Sequence, residues 1–408
     1  MNASAMRIWA LILAGALALA GCGLAHSPAL HADRDAAPAH RRGELVSLQA
    51  VETLDRAGAQ RIASGLPGAI AVDGGARLYR VEYRTVYRNR PVVASGLFST
   101  PSAGGRSKGT VLYLHGTQAS RAASPSQPGR ADGNEETAVF AGNGFDVAVP
   151  DYIGLGVSNE PQAYAIVAVQ VDAALDLLRA VRAASAELHR GDGSPSLYVL
   201  GFSQGGQSAA GVHRALERAP LDGYRLRGSI GIAGPYDLRA LLLRKLAPES
   251  AGSANDAGYL AFIAQAYSAY YGHPLNELLA DDYAATMPAL FDGSQTPDRI
   301  GAALPADARA LLRPEFLRSL RAGRESWFTR ALDENQTFAW TPVAPFRIHY
   351  GEADRDVPPR SAQALFDYAK ARGGNVSLHS MGAVDHSDSA ALSYAPALAW
   401  FEQLGAMP

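Results

Sequence analysis

Residues 196–206 read SLYVLGFSQGG, a short apolar run followed by a glycine-rich turn that contains Ser203. The run Ser196–Leu200 has the length and the bounded ends of a buried strand, and Gln204–Arg218 continues with the apolar spacing of a helix. A strand that passes directly into a helix is the building unit of a parallel sheet. This stretch therefore predicts an α/β domain.

The sequence on either side repeats this alternation. Further short apolar runs bounded by Gly or Pro predict buried strands at Thr110–Leu114, Asp146–Val149, Ser229–Ala233, Phe346–Tyr350 and Val376–Leu378. Helical spacing appears between several of them, at Tyr164–Glu187, Ser361–Arg372 and Ala391–Leu404. Upstream, Arg77–Val86 and Pro91–Ser99 alternate apolar and polar residues and predict antiparallel strands. The pattern predicts a mostly parallel central sheet with helices on both faces.

One long segment interrupts the alternation. More than 100 residues between Ala233 and Phe346 have almost no strand pattern. Helical spacing is found in an aromatic stripe from Tyr259 to Tyr271 and over Leu275–Ala280, Pro305–Leu312 and Glu315–Arg330. Because a structureless loop of this length is implausible in a compact domain, the sequence predicts a helical cap at 238–340 that divides a core of residues 44–237 and 341–408. The aromatic stripe could be plain core or could line an acyl tunnel.

Ser203 is the candidate nucleophile, in the G-x-S-x-G pattern of residues 201–205. In a tight strand-to-helix turn, Gly201 and Gly205 are required because a β-carbon there would collide with the neighbouring strand or helix. The hydroxyl then stands at a helix N-terminus, where backbone N–H groups favour negative charge. The alternative is a glycine-rich turn that binds phosphate, but the turn lacks the lysine of a P-loop.

A serine nucleophile needs a histidine base and a carboxylate that orients the base. The strand Phe346–Tyr350 leads into a loop with three carboxylates, Glu352, Asp354 and Asp356. The D-x-x-V-P pattern from Asp354 resembles the acid loop of many α/β-hydrolases and selects Asp354. Asp356 is the first alternative and Glu352 the second.

His386 is the candidate base. It follows the strand Val376–Leu378, and the sequence predicts it on a loop before a helix that begins at about Ala391. The chain order Ser203, Asp354, His386 is the order that the α/β-hydrolase fold requires. His349 and His379 fall within or at the end of strands, which is typical of packed or surface histidines.

Acyl transfer also needs donors for a tetrahedral oxyanion. The predicted donors are the backbone N–H of Gln204 and that of Thr117, where Gly116 lets the loop after Thr110–Leu114 turn inward. A bare turn at the strand end is the alternative for Thr117. The stretch DYIGLG at 151–156 lies on the same rim and could shape the pocket or have a structural role.

The N-terminus has the pattern of an export signal. Arg7 precedes the apolar run Ile8–Ala20, which is shorter than the ~20 residues that span a bilayer. The run ends in LAGC, which resembles the bacterial lipobox, and Cys22 is the one cysteine of the chain. The sequence predicts a lipoprotein signal peptide (1–21), lipidation at Cys22 and a flexible tether (22–43), with export to the cell envelope; the residue after Cys22 favours the bacterial outer membrane. The alternative is an ordinary secretory signal and a secreted protein.

Composition narrows the classes of partner. The chain has 408 residues, of which 48% are hydrophobic, and a net charge of −2. The balance of charge indicates no nucleic-acid partner. A single cysteine excludes a disulfide within the chain and a cysteine-based zinc site.

These features together resemble the secretory lipase family, the lipase-A type of α/β-hydrolases. The resemblance covers about residues 44–408 and rests on motifs that include the segments ASG at 94–96, HGT at 115–117, DYIG at 151–154 and GFSQGG at 201–206, the helical insertion, and the Asp354 and His386 loops. It implies an α/β-hydrolase fold, a cap that forms part of an acyl-chain pocket, and no metal or cofactor. Fungal members carry disulfides and lipid tethering is not general in the family, so the chain departs from it in both respects.

The sequence therefore predicts a serine hydrolase that cleaves acylglycerols or simple carboxylic esters through an acyl-enzyme on Ser203. One alternative is a peptidase or another acyl-transfer hydrolase that uses the same three residues, because a fold does not fix a reaction. The other is a non-catalytic envelope lipoprotein that binds a ligand.

Overall fold

The computed structural model describes residues 42–128, 131–190, 193–247, 253 and 255–407, without the side chains of 131–134. The predicted signal peptide, Cys22 and nearly all of the predicted tether lie outside these ranges. Within the described ranges, no helix is long and apolar enough to cross a membrane.

The described chain is built around a nine-stranded sheet. The strands are β1 (Leu45–Leu54), β2 (Ala76–Tyr87), β3 (Arg90–Pro101), β4 (Thr110–Leu114), β5 (Asp146–Pro150), β6 (Ser196–Phe202), β7 (Arg225–Ile232), β8 (Phe346–Tyr350) and β9 (Val376–Ser380). Their order is β1-β2-β3-β5-β4-β6-β7-β8-β9. The pairs β1–β2, β2–β3 and β3–β5 are antiparallel, and all pairs from β5–β4 to β8–β9 are parallel. The predicted α/β class with a mostly parallel sheet is confirmed.

Helices cover both faces of this sheet. They are α1 (Arg56–Ser64), α2 (Ala131–Phe140), α3 (Val167–Glu187), α4 (Gln204–Arg218), α5 (Leu238–Lys245), α6 (Asp256–Tyr271), α7 (Asp281–Leu290), α8 (Pro297–Ala302), α9 (Pro314–Arg321), α10 (Trp327–Glu334), α11 (Arg360–Lys370), α12 (His386–Ala391) and α13 (Tyr394–Ala406). Alternate residues of β6 show the two layers. Leu197 and Val199 pack with α3 and α4, whereas Tyr198 and Leu200 pack with α1, α2 and α13. Because successive side chains of a strand point to opposite faces, a fully apolar strand requires this double cover.

Helices α5–α10 follow one another between β7 and β8, in the segment predicted as the cap. The aromatic stripe lies in α6. Of its five aromatic side chains, Phe262 and Tyr267 are buried core, and the other three are half-buried against the same core: Tyr259, Tyr270 and Tyr271. Three predicted helices of this segment differ in the structure. The predicted helix Glu315–Arg330 is divided into α9 and α10 by a turn at residues 322–326, and the predicted helices Leu275–Ala280 and Pro305–Leu312 contain only short 3₁₀ turns.

Three elements at the start of the domain, β1, α1 and α2, were not predicted. β1 is an edge strand with register irregularities between Leu45 and Ser47 and between Ala50 and Glu52. Each irregularity shifts the side-chain alternation by one position, so the period-2 pattern that identifies a strand is lost.

Residues 42 and 43, which the sequence assigned to the tether, contact the domain. Arg42 forms ion pairs with Asp172 and Asp176 of α3 at 2.8 and 3.0 Å. The backbone N–H of Gly43 donates to the carbonyl of Arg84 in β2 at 2.8 Å. The ordered contacts of the domain therefore begin by Arg42.

The buried carboxyl group of Glu136 adds a pH-dependent contribution to the stability of the protein. Glu136 of α2 is buried against Tyr394 of α13, whose hydroxyl donates a hydrogen bond to it. Burial raises the pKa of Glu136 from 4.5 to about 8, outweighing the opposite effect of that hydrogen bond. Between these two pH values Glu136 binds more protons in the folded chain than in the unfolded chain, so its contribution to stability falls as pH rises.

We expect Glu136→Gln to remove this contribution. Between pH 5 and pH 8, the free energy of unfolding of the variant should improve relative to the unsubstituted protein by several kcal/mol. Urea denaturation across that range measures the effect, with the exposed Glu52→Gln as control. An unchanged slope in Glu136→Gln would contradict the assignment.

Candidate active site

Ser203 occupies the sharp turn between β6 and α4. Its backbone has φ 55° and ψ −118°, a left-handed conformation that is strained for a residue with a side chain. The turn is closed by close backbone approaches. A β-carbon on Gly201 would lie 2.0 Å from the carbonyl oxygen of Gly205, and one on Gly205 would lie 1.8 Å from that of Leu114. Both glycines are therefore required for the reason that the sequence indicated. The obstacle to a side chain at position 201 is the first turn of α4, and the obstacle at position 205 is the end of the neighbouring strand β4.

His386 lies directly against Ser203. Its Nε2 is 2.9 Å from Ser203 Oγ, and the ring is packed 4.8 Å from the ring of Phe202. The prediction of a loop position was wrong in one respect: His386 is the first residue of the short helix α12, which Asp385 caps. The cap residue and its helix fix the backbone from which the imidazole projects.

Asp354 completes the chain of contacts. Its Oδ2 lies 2.7 Å from Nδ1 of His386, and its Oδ1 accepts the backbone N–H groups of Asp356 and Val357 at 2.9 and 2.8 Å. Both oxygens are thus engaged, which holds the carboxylate in one orientation. Ser203, Asp354 and His386 are respectively 6%, 4% and 8% exposed, so their electrostatic interactions are only weakly screened by water.

The other acids and histidines considered from the sequence lie elsewhere. The carboxylate of Asp356 is bonded by Ser253, Asn255 and Tyr259, and the exposed Glu352 accepts from Ser380 at 2.7 Å.

His349 is buried against Ser393 at 3.0 Å, and burial, with the nearby His379 and Arg347, lowers its pKa to about 3. His379 bonds Ser377 at 2.8 Å.

The two predicted oxyanion donors border the turn. Gln204 is the first residue of α4, where a backbone N–H has no partner within the helix. The loop with Gly116 and Thr117 passes over the turn, and a β-carbon on Gly116 would be 3.0 Å from the ring of Phe202. The Thr117 hydroxyl lies 2.9 Å from that of Tyr164, a contact that the sequence did not reveal.

The stretch at 151–156 has a structural role in this arrangement. Asp151 is fully buried and accepts the hydroxyls of Ser95 at 2.5 Å and Ser126 at 2.6 Å. Burial raises its pKa, and the hydrogen bonds from these serines oppose the rise. Tyr152 donates to the carbonyl of His115 at 3.2 Å and so supports the loop that carries Thr117.

An apolar cavity opens beside Ser203. Ser203, Gln204, Tyr164 and Asp356 border it, and most of the remaining wall comes from aliphatic side chains of the insertion, including Leu238, Leu241, Leu242, Leu246, Leu260 and Ile263. A second cavity is bordered by Thr117–Ser120 and by the insertion. Tyr259 lines both cavities and stands between them. In the part of the chain that the structure describes, no group of three or more His, Cys, Asp or Glu side chains could hold a metal ion.

Comparisons with known proteins bear on the fold. No family model matches the sequence, and the search of curated proteins gives no match. Among solved structures, a candidate hydrolase from Legionella pneumophila has a TM-score of 0.82 at 23% identity, covering 89% of this chain and 98% of that one.

The rice cell wall degrading esterase LipA from Xanthomonas oryzae has a TM-score of 0.76 at 24% identity, covering 89% and 98%. Candida antarctica lipase A in its closed state has a TM-score of 0.64 at 15% identity, covering 89% and 82%. The strand order and these likenesses together show that the chain has the α/β-hydrolase fold.

Proposed function

We propose that the protein is a serine hydrolase of carboxylic esters, a lipase or carboxylesterase of the secretory lipase-A type. The observation that carries the proposal is the continuous contact from Ser203 Oγ through the His386 imidazole to the Asp354 carboxylate. This is the arrangement by which a serine hydroxyl becomes a nucleophile. The esterase and lipase names of two structural neighbours agree with it.

The geometry supports a two-step acyl transfer. As Ser203 Oγ attacks the ester carbonyl carbon, its proton passes to His386 Nε2 and the carbonyl electron pair moves to the oxygen. The tetrahedral intermediate collapses by breaking the bond to the alcohol oxygen, which takes the proton from Nε2, and the acyl group stays on Ser203. Water then loses a proton to the same Nε2 and attacks the acyl carbon. Collapse releases the carboxylic acid and returns the proton to Ser203.

The surroundings of Ser203 support the remaining roles. Asp354 holds the Nδ1–H tautomer and stabilises the imidazolium. The N–H groups of Gln204 and Thr117 are the proposed donors to the oxyanion. The apolar cavity beside Ser203 matches the acyl part of an acylglycerol or a simple acyl ester. None of these steps requires a cofactor or a metal.

One experiment tests the reaction class. The purified protein is assayed on p-nitrophenyl butyrate, octanoate and palmitate and on an aminoacyl p-nitroanilide, and is labelled with a fluorophosphonate. We expect ester hydrolysis, stoichiometric labelling and no measurable anilide cleavage. Anilide cleavage without ester cleavage would favour a peptidase, and no reaction together with no labelling would leave a binding protein on a hydrolase fold.

The contact between Tyr164 and Thr117 leads to a prediction about the oxyanion loop. We expect Tyr164→Phe to lower kcat by about 10-fold with little change in KM. The variant loses the hydrogen bond to the Thr117 hydroxyl, which helps to hold the loop in position. The matched control is Tyr224→Phe, whose hydroxyl bonds the carbonyl of Leu178 at 2.9 Å instead. Equal kcat values in the two variants would argue against Thr117 as a donor.

We also propose that the protein is exported and anchored to the bacterial outer membrane by a lipid on Cys22, with secretion as the alternative. The support is the LAGC sequence at 19–22 after an apolar run. Metabolic labelling with a palmitate analogue should mark the protein, and Cys22→Ser should abolish the label and release the protein from the membrane fraction. Labelling that persists in Cys22→Ser would exclude this anchor.

A further inference from the structure

The backbone N–H of Asp356 bonds Asp354, yet the side chain of Asp356 faces the helical insertion. Three donors of the insertion converge on its carboxylate: the hydroxyl of Ser253, the amide of Asn255 at 2.9 Å and the hydroxyl of Tyr259 at 3.2 Å. A carboxylate that accepts three hydrogen bonds from one partner segment is a strong point of attachment.

The same residue belongs to the acid loop of the core. Its backbone N–H donates to Oδ1 of Asp354 at 2.9 Å. A second link runs alongside, because Lys245 of α5 donates to the carbonyl of Arg355 at 3.2 Å and pairs with Asp256 of α6. Residues 355–356 therefore contact the insertion and also help to orient Asp354.

The carboxylate of Asp356 is ionised in this setting. Burial alone would raise its pKa, but the hydrogen bonds from Ser253 and Asn255, with the nearby His386 and Lys245, lower it. A charged carboxylate strengthens each of its hydrogen bonds to the insertion.

Tyr259 connects this attachment to the shape of the site. Its hydroxyl bonds Asp356, and its ring forms a wall of the cavity beside Ser203 and of the second cavity. A change at Asp356 would release this wall as well as the acid loop.

We propose that Asp356 is a positioning residue that fixes the helical insertion to the acid loop, so that one carboxylate holds the wall of the acyl cavity against the loop that carries Asp354. The inference rests on the proposed ester hydrolysis. It predicts a selective loss of binding for the longer acyl chain.

The test compares kcat and KM for p-nitrophenyl butyrate and octanoate from pH 5 to 9 in the full-length protein. In Asp356→Asn we expect KM for the octanoate to rise about 3-fold or more as the cavity wall loosens. KM for the butyrate should change less, because a shorter acyl chain contacts less of that wall. Asp356→Glu keeps the charge and should restore KM for the octanoate toward that of the unsubstituted protein.

Two further variants serve as controls. Glu352→Gln neutralises an exposed acid on the same loop and should leave KM for both esters unchanged. The double variant Ser253→Ala/Tyr259→Phe removes two of the hydrogen bonds to Asp356 without changing the acid loop, and it should also raise KM for the octanoate. It also keeps the proposal testable if Asp356→Asn does not fold.

The results have distinct meanings. If KM for the octanoate in Asp356→Asn matches that in Glu352→Gln, or if KM is unchanged in the double variant, the proposal is overturned while the proposed ester hydrolysis remains supported. If the unsubstituted protein neither cleaves esters nor reacts with a fluorophosphonate, it is the proposed function that fails.

Discussion

Ser203→Ala is expected to lower kcat/KM for p-nitrophenyl butyrate by about 10⁵-fold, because the variant has no atom that can form the acyl-enzyme. Labelling by a fluorophosphonate should disappear completely. The residual rate over water would come from the oxyanion donors and from binding of the acyl chain.

The substitution should leave the fold intact. Alanine adopts the strained backbone of this turn no less readily than serine, and the backbone N–H of residue 203 still donates to the carbonyl of Ile232, at 2.8 Å in the structure. Ser387→Ala, at an exposed serine next to His386, is the matched control and should keep full activity. Melting temperatures within a few degrees for all three proteins make the comparison valid. Persistent labelling of Ser203→Ala would require a different nucleophile.

Asp354→Asn is expected to lower kcat by about 10⁴-fold, with a small effect on KM. The reason is specific to the contacts of this side chain. Oδ1 accepts two backbone N–H groups, so the asparagine oxygen must take that place and its NH₂ must face Nδ1 of His386. Nδ1 then becomes an acceptor, the ring proton moves to Nε2, and Nε2 can no longer take the proton of Ser203.

The neighbouring acids provide the controls for this prediction. Glu352→Gln should be unaffected, and Asp356→Asn should lose far less activity than Asp354→Asn. Steady-state kinetics at pH 8 measures all three. If Asp356→Asn were the inactive variant and Asp354→Asn active, the assignment of the acid would be reversed.

The sequence was most informative where local chemistry has a single solution. The glycines on both sides of Ser203 permit one tight turn between strand and helix, and the structure forms that turn. The central strands β4, β5 and β6 are mostly apolar and buried, so they could be found from their composition. The edge strand β1 could not, because its irregular register removes the alternation.

The candidate site illustrates the same limit. Three carboxylates share one loop within five residues, and their order in the sequence does not say which of them faces His386. The decision depends on the turn of the loop, in which the N–H groups of residues 356 and 357 bind the carboxylate of Asp354. The partners of Asp356 and of Tyr164 come from segments about 100 and 47 residues away, a separation at which no local pattern is visible.

The class of fold, the order of the candidate residues and the turn that presents Ser203 can be predicted from the amino-acid pattern, because they follow from backbone sterics and from apolar periodicity over a few residues. The folded chain was needed to show which acid contacts His386, that His386 begins a helix, and how the insertion attaches to the acid loop. Those features are contacts between distant segments, and their geometry is set by how the whole sheet and its insertion pack together.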